Sequence, residues 1–191
     1  MRVIAGAYKG RRLVTPSWPG LRPTSDKLRE TIFNILAPRV PGSRVLDLYA
    51  GTGALGIEAL SRGAAGVTFV ERDRRAQKLI EANLERCGIT DGYAIIRASV
   101  EDALEQLRRQ AVATNECAFD IAFLDPPYHR EPGVGEVTGV LASAANVMGQ
   151  GAVVVLEHSR RRPSAPAAGR LVRTRELTAG DSALAFYACQ P

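Results

Sequence analysis

From Arg44 onward the chain alternates short apolar runs with amphipathic stretches, and this limits the fold more than any other feature of the sequence. Residues 45–49, 66–70, 94–97, 119–124 and 152–156 read as five strands, each short, apolar and bounded by turn-forming residues. Residues 54–61, 74–87, 100–109 and, more weakly, 135–148 read as the helices between them. The second of these has its inner face at Ala76, Leu79, Ile80, Asn83 and Leu84 and stops at Gly88. Strands alternating with helices build a parallel sheet covered on both faces. Two more strands, near 171–177 and 183–188, follow a loop at 160–169 with no helix between them. A terminal hairpin there turns the last strand antiparallel.

The opening of the chain is organised differently. Val3 and Ile4 before Gly6, and Leu13 and Val14 after Gly10, suggest a short hairpin over 1–15. A Pro- and Gly-rich loop over 16–23 leads to Thr24, a good helix N-cap, with Asp26 in the first turn. Leu28, Ile32, Ile35 and Leu36 then recur at helical spacing, and Pro38 closes the helix. At 191 residues the chain suits one full domain, 44–191, with a hairpin-and-helix extension, 1–43. Charge follows the same division. The extension holds eight basic and two acidic residues, whereas the remainder holds 17 basic and 18 acidic, so the whole excess of the net +5 sits in the extension. A localised basic patch is the footprint of a polyanion, and Arg2, Lys9, Arg11, Arg12 and Arg22 are its candidate contacts; a solvated surface arm is the plainer reading of a charge cluster alone. No apolar run has the length of a membrane span and no secretory leader opens the chain. Cys87, Cys117 and Cys189 lie too far apart for a metal-binding spacing or a disulfide framework, which points to a cytoplasmic protein with reduced thiols.

The first predicted strand runs through Asp47 and Tyr49 into Ala50-Gly51-Thr52-Gly53-Ala54-Leu55-Gly56, and Glu71 ends the second. A glycine-rich turn between strand and helix, with an acid about 20 residues on, is also the fingerprint of a dinucleotide site. Asp47 argues against that rival, because a carboxylate just before the loop faces a diphosphate unfavourably. It suits a ligand carrying positive charge, such as the sulfonium and amino groups of S-adenosylmethionine (SAM). Glu71, followed by Arg72, has two acceptor oxygens for two ribose hydroxyls. Ser99 and Val100, after the third strand, fall where an adenine ring lies, with Asp102 as an alternative partner for its amino group; alternatively, Ser99 caps the next helix. The candidate donor site is therefore Asp47, Tyr49, Ala50, Gly51, Gly53, Glu71, Arg72, Ser99 and Val100, with Asp125 at its edge.

The fourth strand ends in Asp125-Pro126-Pro127-Tyr128, the most specific feature of the chain. Two prolines stiffen the backbone just past the strand, and Tyr128 offers a flat ring. An exocyclic amine on a base is a poor nucleophile because its lone pair is delocalised into the ring. Accepting hydrogen bonds from both of its N–H groups, by the Asp125 carboxylate and the Pro126 carbonyl, frees that lone pair. Tyr128 then stacks on the extruded base. The same acceptors stabilise the positive charge that develops on nitrogen, and no metal is needed.

Asp47 to Gly53 resembles the SAM-binding motif of class I methyltransferases, and Asp125 to Tyr128 resembles the catalytic motif of the amino-methyltransferases. The opening segment, Arg2-Val3-Ile4-Ala5-Gly6, Lys9-Gly10-Arg11-Arg12-Leu13 and Leu21-Arg22-Pro23-Thr24-Ser25-Asp26 through Phe33-Asn34-Ile35-Leu36, is similar to the RsmD family. These are the bacterial 16S rRNA (guanine(966)-N2)-methyltransferases. The resemblance implies a seven-stranded, Rossmann-like class I α/β fold with an N-terminal hairpin. It implies SAM as donor, S-adenosylhomocysteine as product, guanine N2 as acceptor, and 16S rRNA in the assembled or assembling small ribosomal subunit as partner, with the protein a monomer. By position it assigns Asp125, Pro126, Pro127 and Tyr128 to catalysis, Asp47, Gly51 and Gly53 to the methionine moiety, and Glu71 to the ribose. An adenine-N6 methyltransferase of DNA or RNA is the nearest alternative, since the tetrapeptide serves several amine acceptors. An RNA-binding assembly factor with a lapsed SAM pocket is a second.

Overall fold

The computed structural model describes residues 1–18, 24–114, 119–126 and 134–191. Its elements in order are α1 (Asp26–Leu36), β1 (Arg44–Leu48), α2 (Ala54–Ser61), β2 (Gly66–Val70), α3 (Arg74–Cys87), β3 (Tyr93–Ile96), α4 (Val100–Thr114), β4 (Phe119–Leu124), α5 (Val134–Ala145), β5 (Met148–Ser159), β6 (Ala167–Ala168), β7 (Leu171–Ala179) and β8 (Ser182–Cys189). The strands form one sheet in the order β3-β2-β1-β4-β5-β8-β7-β6. The first five are mutually parallel, and β8 inserts antiparallel between β5 and β7. This is the expected Rossmann-like α/β architecture of class I methyltransferases. All seven expected strands are present, and the two-residue β6 pairs with β7 to extend the edge.

Alternation along each central strand divides the interior into two cores. Val45, Ile121, Phe123 and Val155 face one side and pack with α1, α2 and α3. Leu46, Leu48, Ala122, Leu124, Val154 and Leu156 face the other and pack with α4 and α5. The strand order reverses between β1 and β4, so a crevice opens at their carboxyl ends, where open α/β sheets bind ligands. Both motifs singled out in the sequence end there.

The extension shares the first core: Val3, Leu13, Leu28, Ile32, Phe33 and Leu36 are all buried within it. The predicted hairpin forms around one bridge, Arg2 with Arg12. Val3 N–H donates to the Arg11 carbonyl and Gly10 N–H to the Val3 carbonyl, both at 2.9 Å, and Leu13 N–H to the Met1 carbonyl at 3.1 Å, while N–H groups between the two arms pair with α2. The N–H groups of Ile4 and Ala5 donate to the Glu58 carboxylate at 2.7 and 3.0 Å. Ala7 N–H donates to the Ser61 carbonyl at 2.7 Å, and Tyr8 N–H to the Ser61 hydroxyl at 3.0 Å. Gly6, at φ +83°, permits this approach, because a Cβ there would lie 1.7 Å from the Ser61 carbonyl oxygen. Glu58 and Arg29 are wholly buried and lie 3.5 Å apart; Arg29 also reaches Asp26 at 2.8 Å, and Arg62 reaches Glu58 at 2.8 Å.

Three local expectations change. Ser25, not Thr24, caps α1, accepting from Leu28 N–H at 3.2 Å, because the Thr24 hydroxyl is turned to a partner elsewhere. Helix α4 runs five residues beyond the predicted end, and β5 is more than twice its predicted length. Among the described residues, no helix is long and apolar enough to cross a membrane.

Candidate active site

The β1–α2 turn is built by left-handed backbone. Tyr49 has φ 60°, Gly51 56° and Gly53 74°, a sequence that brings the turn back over the end of β1. A non-glycine residue at positive φ is held only where its surroundings determine it, and Tyr49 is such a residue at a ligand crevice. Tyr49, Leu124, Pro126, Glu136, Val137 and Val140 line a shallow pocket beside it. Gly56 lets α2 lie against β2: a Cβ there would meet Phe69 Cε1 at 2.2 Å.

Asp47 sits beneath this turn, buried, with one carboxylate oxygen accepting from Gly56 N–H at 3.0 Å. Burial pushes its pKa up to about 8; the Gly56 bond opposes the rise and Glu71 adds to it. Glu71 accepts from Gly51 N–H at 2.9 Å and from Asp73 N–H at 2.8 Å, one bond to each oxygen. A carboxylate has about four acceptor positions, so each oxygen keeps capacity for a hydroxyl. Arg72 is exposed beside it. A buried acid below the glycine turn and a half-satisfied one at its rim fit a ligand with cationic and vicinal-diol parts.

At the position expected for adenine, Ser99 Oγ accepts from Asp102 N–H at 3.1 Å and donates to Asp102 Oδ2 at 2.8 Å, which is a helix cap for α4. The Val100 side chain packs in the second core.

Asp125 and Pro126 are half-buried just past β4. Asp125 Oδ2 accepts from the Thr24 hydroxyl at 3.0 Å. Loss of solvent and the neighbouring Glu157 raise the Asp125 pKa well above the usual carboxylate range; Thr24 opposes this, and Asp47 adds a smaller push upward. Pro127, Tyr128 and Arg22 lie outside the described residues. Of the other candidate RNA contacts, Arg2, Lys9, Arg11 and Arg12 are exposed. The Arg11 guanidinium lies 5.6 Å from the Tyr8 ring centre and 3.5 Å from the Arg86 carbonyl.

Sequence reasoning missed three residues. Asn83, which reads as part of an apolar face, donates to Thr52 O at 2.9 Å and Val14 O at 3.1 Å and accepts from Val14 N–H at 2.6 Å, so it ties the arm to the glycine turn. Its signal is an amide on an otherwise apolar stripe. Thr24 reads in the sequence only as a cap. Glu157 follows the fifth apolar strand directly, as Asp125 and Glu71 follow theirs, and the same reasoning would have selected it. Three described residues of the extension reach the main sheet and its helices here: Val14 on Asn83, Trp18 with its ring centre 5.0 Å from the Arg75 guanidinium, and Thr24 on Asp125.

A family described as conserved hypothetical protein 95 matches residues 1–188. The chain is 39% identical over 187 residues to the Bacillus subtilis protein YlbH, covering 98% of each. It is 36% identical over 189 residues to ribosomal RNA small subunit methyltransferase D of Escherichia coli, covering 98% of this chain and 89% of that one. The solved structure of the Thermus thermophilus hypothetical protein TTHA0928 superposes with a TM-score of 0.78 at 31% identity, covering 97% and 98% of the two chains.

Proposed function

We propose, from the premise that this chain belongs to the family described as conserved hypothetical protein 95 and is similar along its length to ribosomal RNA small subunit methyltransferase D of Escherichia coli, that it methylates the exocyclic N2 of a guanine in 16S rRNA, with SAM as donor. The observation that carries the reading is the meeting of two acids at one switch point, Asp47 under the glycine turn after β1 and Asp125 after the adjacent β4. When bound, SAM supplies an electrophilic methyl group on a sulfonium. Asp47, Tyr49, Ala50, Gly51 and Gly53 would hold its methionine part and Glu71, beside Arg72, its ribose; Ser99 and Val100 stand at the position for its adenine.

The chain's own work is positioning and charge. Asp125 and the Pro126 carbonyl accept from the two N–H groups of the amine and orient its lone pair. The Asp125 carboxylate takes up the proton that nitrogen loses once its bond to carbon forms, and passes it to solvent. Tyr128, next to Pro127, supplies the stacking surface for the extruded base. The extension, 1–43, brings Arg2, Lys9, Arg11, Arg12 and Arg22 to the phosphates of the small-subunit rRNA.

The test is transfer of labelled methyl from SAM to small ribosomal subunits, free rRNA and duplex DNA. N2-methylguanine in rRNA is the expected product. Label confined to adenine or to DNA would refute the acceptor assignment. Asp125→Ala is expected to abolish transfer while SAM affinity stays within a few-fold.

A further inference from the structure

Three neighbouring strands each bring one acid to the same face of the sheet at its carboxyl edge. Asp47 is the residue before last in β1, Asp125 follows β4, and Glu157 lies in β5. Leu124 of β4 is level with Leu156 of β5, so Asp125 and Glu157 are the next residues on adjacent parallel strands. Both follow residues facing the second core, so both turn to the other face, over which the N-terminal end of α1 and Thr24 lie. Glu157 is buried, and its Oε1 accepts from the Ser182 hydroxyl of β8 at 3.0 Å.

Two acids side by side, one buried and one half-buried, each make the other harder to ionise. The Thr24 hydroxyl donates to one of them only, and a hydroxyl that donates favours the ionised form of its acceptor. We propose that Glu157 is a positioning residue of the transfer reaction: its carboxylate, level with Asp125 on the adjacent strand, strengthens Asp125 as a base, while the Thr24 hydroxyl holds the Asp125 oxygen in the ionised form that accepts from the amine. The inference rests on the reading of Asp125 as the amine-activating group. The charged groups acting on Asp125 from neighbouring described elements are Glu157 on β5 and Asp47 on β1, both raising its pKa; the segment before α1 contributes the neutral Thr24, which lowers it. The arrangement also makes Asp125 a better base than an isolated carboxylate, which suits uptake of the amine proton.

The two residues therefore act on Asp125 in opposite senses. Glu157→Gln keeps the shape and an acceptor for Ser182 but removes the charge. The acidic limb of the kcat–pH profile is expected to move down by about one unit. Thr24→Val removes the opposing hydrogen bond, and the limb is expected to move up, with Thr24→Ser restoring the native profile. Asp125→Asn, which has no carboxyl to titrate, is expected to lose transfer and the corresponding 13C titration. The same displacements are read without turnover from the 13C titration of the Asp125 carboxyl in the full-length protein, which also covers a variant that folds but does not turn over. Opposite displacements support the proposal. Displacements in the same direction, or none in either variant, overturn it. Failure of the wild-type protein to methylate any rRNA while these titrations behave as expected would instead sink the functional reading.

Discussion

The buried ion pair that fastens the arm to the main domain gives the sharpest energetic prediction. Glu58 is wholly buried, takes three donors, Ile4 N–H at 2.7 Å, Ala5 N–H at 3.0 Å and Arg62 Nε at 2.8 Å, and pairs its charge with Arg29 Nη1 at 3.5 Å. Glu58→Gln preserves the shape but replaces one acceptor oxygen by an NH2 group that faces donors. One or two N–H groups then lose their acceptor, at about 1–3 kcal/mol each. The wholly buried Arg29 also loses its charge partner, a change that costs about 3–5 kcal/mol where nothing compensates. Asp26 at 2.8 Å and the Arg2 carbonyl at 2.6 Å still hold the guanidinium, which places the net loss at about 3–5 kcal/mol. With a urea m-value of roughly 2 kcal/mol per molar, the unfolding midpoint is expected to fall by about 2 M. Arg29→Met leaves Glu58 its three donors and is expected to cost less. Equilibrium urea unfolding followed by circular dichroism checks both. A Glu58→Gln midpoint within about 0.5 M of wild type, or Arg29→Met the more damaging of the two, would refute the assignment of Glu58 as the anchor.

The remaining predictions concern the donor site and the arm. With a pKa near 8, Asp47 holds roughly 0.9 proton at pH 7, and a cationic ligand is expected to expel it; titration calorimetry of SAM in buffers of different ionisation enthalpy should show that release, and none would mean Asp47 does not sense the donor. Because folding raises this pKa from 3.8, the neutral acid is the form the native state favours. The stability it contributes is complete below about pH 4 and is lost as pH rises toward 8, and thermal unfolding of Asp47→Asn should show a shallower decline over that range. Gly56→Ala drives a methyl into Phe69 and is expected to cost about 1–3 kcal/mol and to weaken SAM binding at least tenfold through the displaced glycine turn; an unchanged melting temperature would contradict the close approach. Replacing Arg11 and Arg12 by Ala should weaken RNA binding and reduce the salt slope by about 1.5, whereas an unchanged slope would mean the arm does not touch phosphate.

Local chemistry made much of this protein legible in its sequence. Strand and helix periods gave the parallel sheet, and the missing helix between β7 and β8 gave the antiparallel last strand, because each depends on short-range pattern; the insertion of that strand between β5 and β7 came only with the fold. The glycine turn and the Asp-Pro pair were legible for the same reason: backbone constraint is written into residue type. What tertiary structure decided was which polar groups share a partner. Thr24 reads as a cap until the fold brings Asp125, 101 residues away, to its hydroxyl and leaves Ser25 to cap α1. The hairpin pairs its own ends as its sequence suggests, but only the fold shows that Glu58 and Ser61 of α2 accept from N–H groups between them. Glu157 becomes a neighbour of Asp125 only through the register of β4 on β5. A hydrogen-bond donor or a charge is fixed by sequence, but its partner is chosen by whatever the fold leaves within about 3 Å, and that choice is what turns a set of acids into a site.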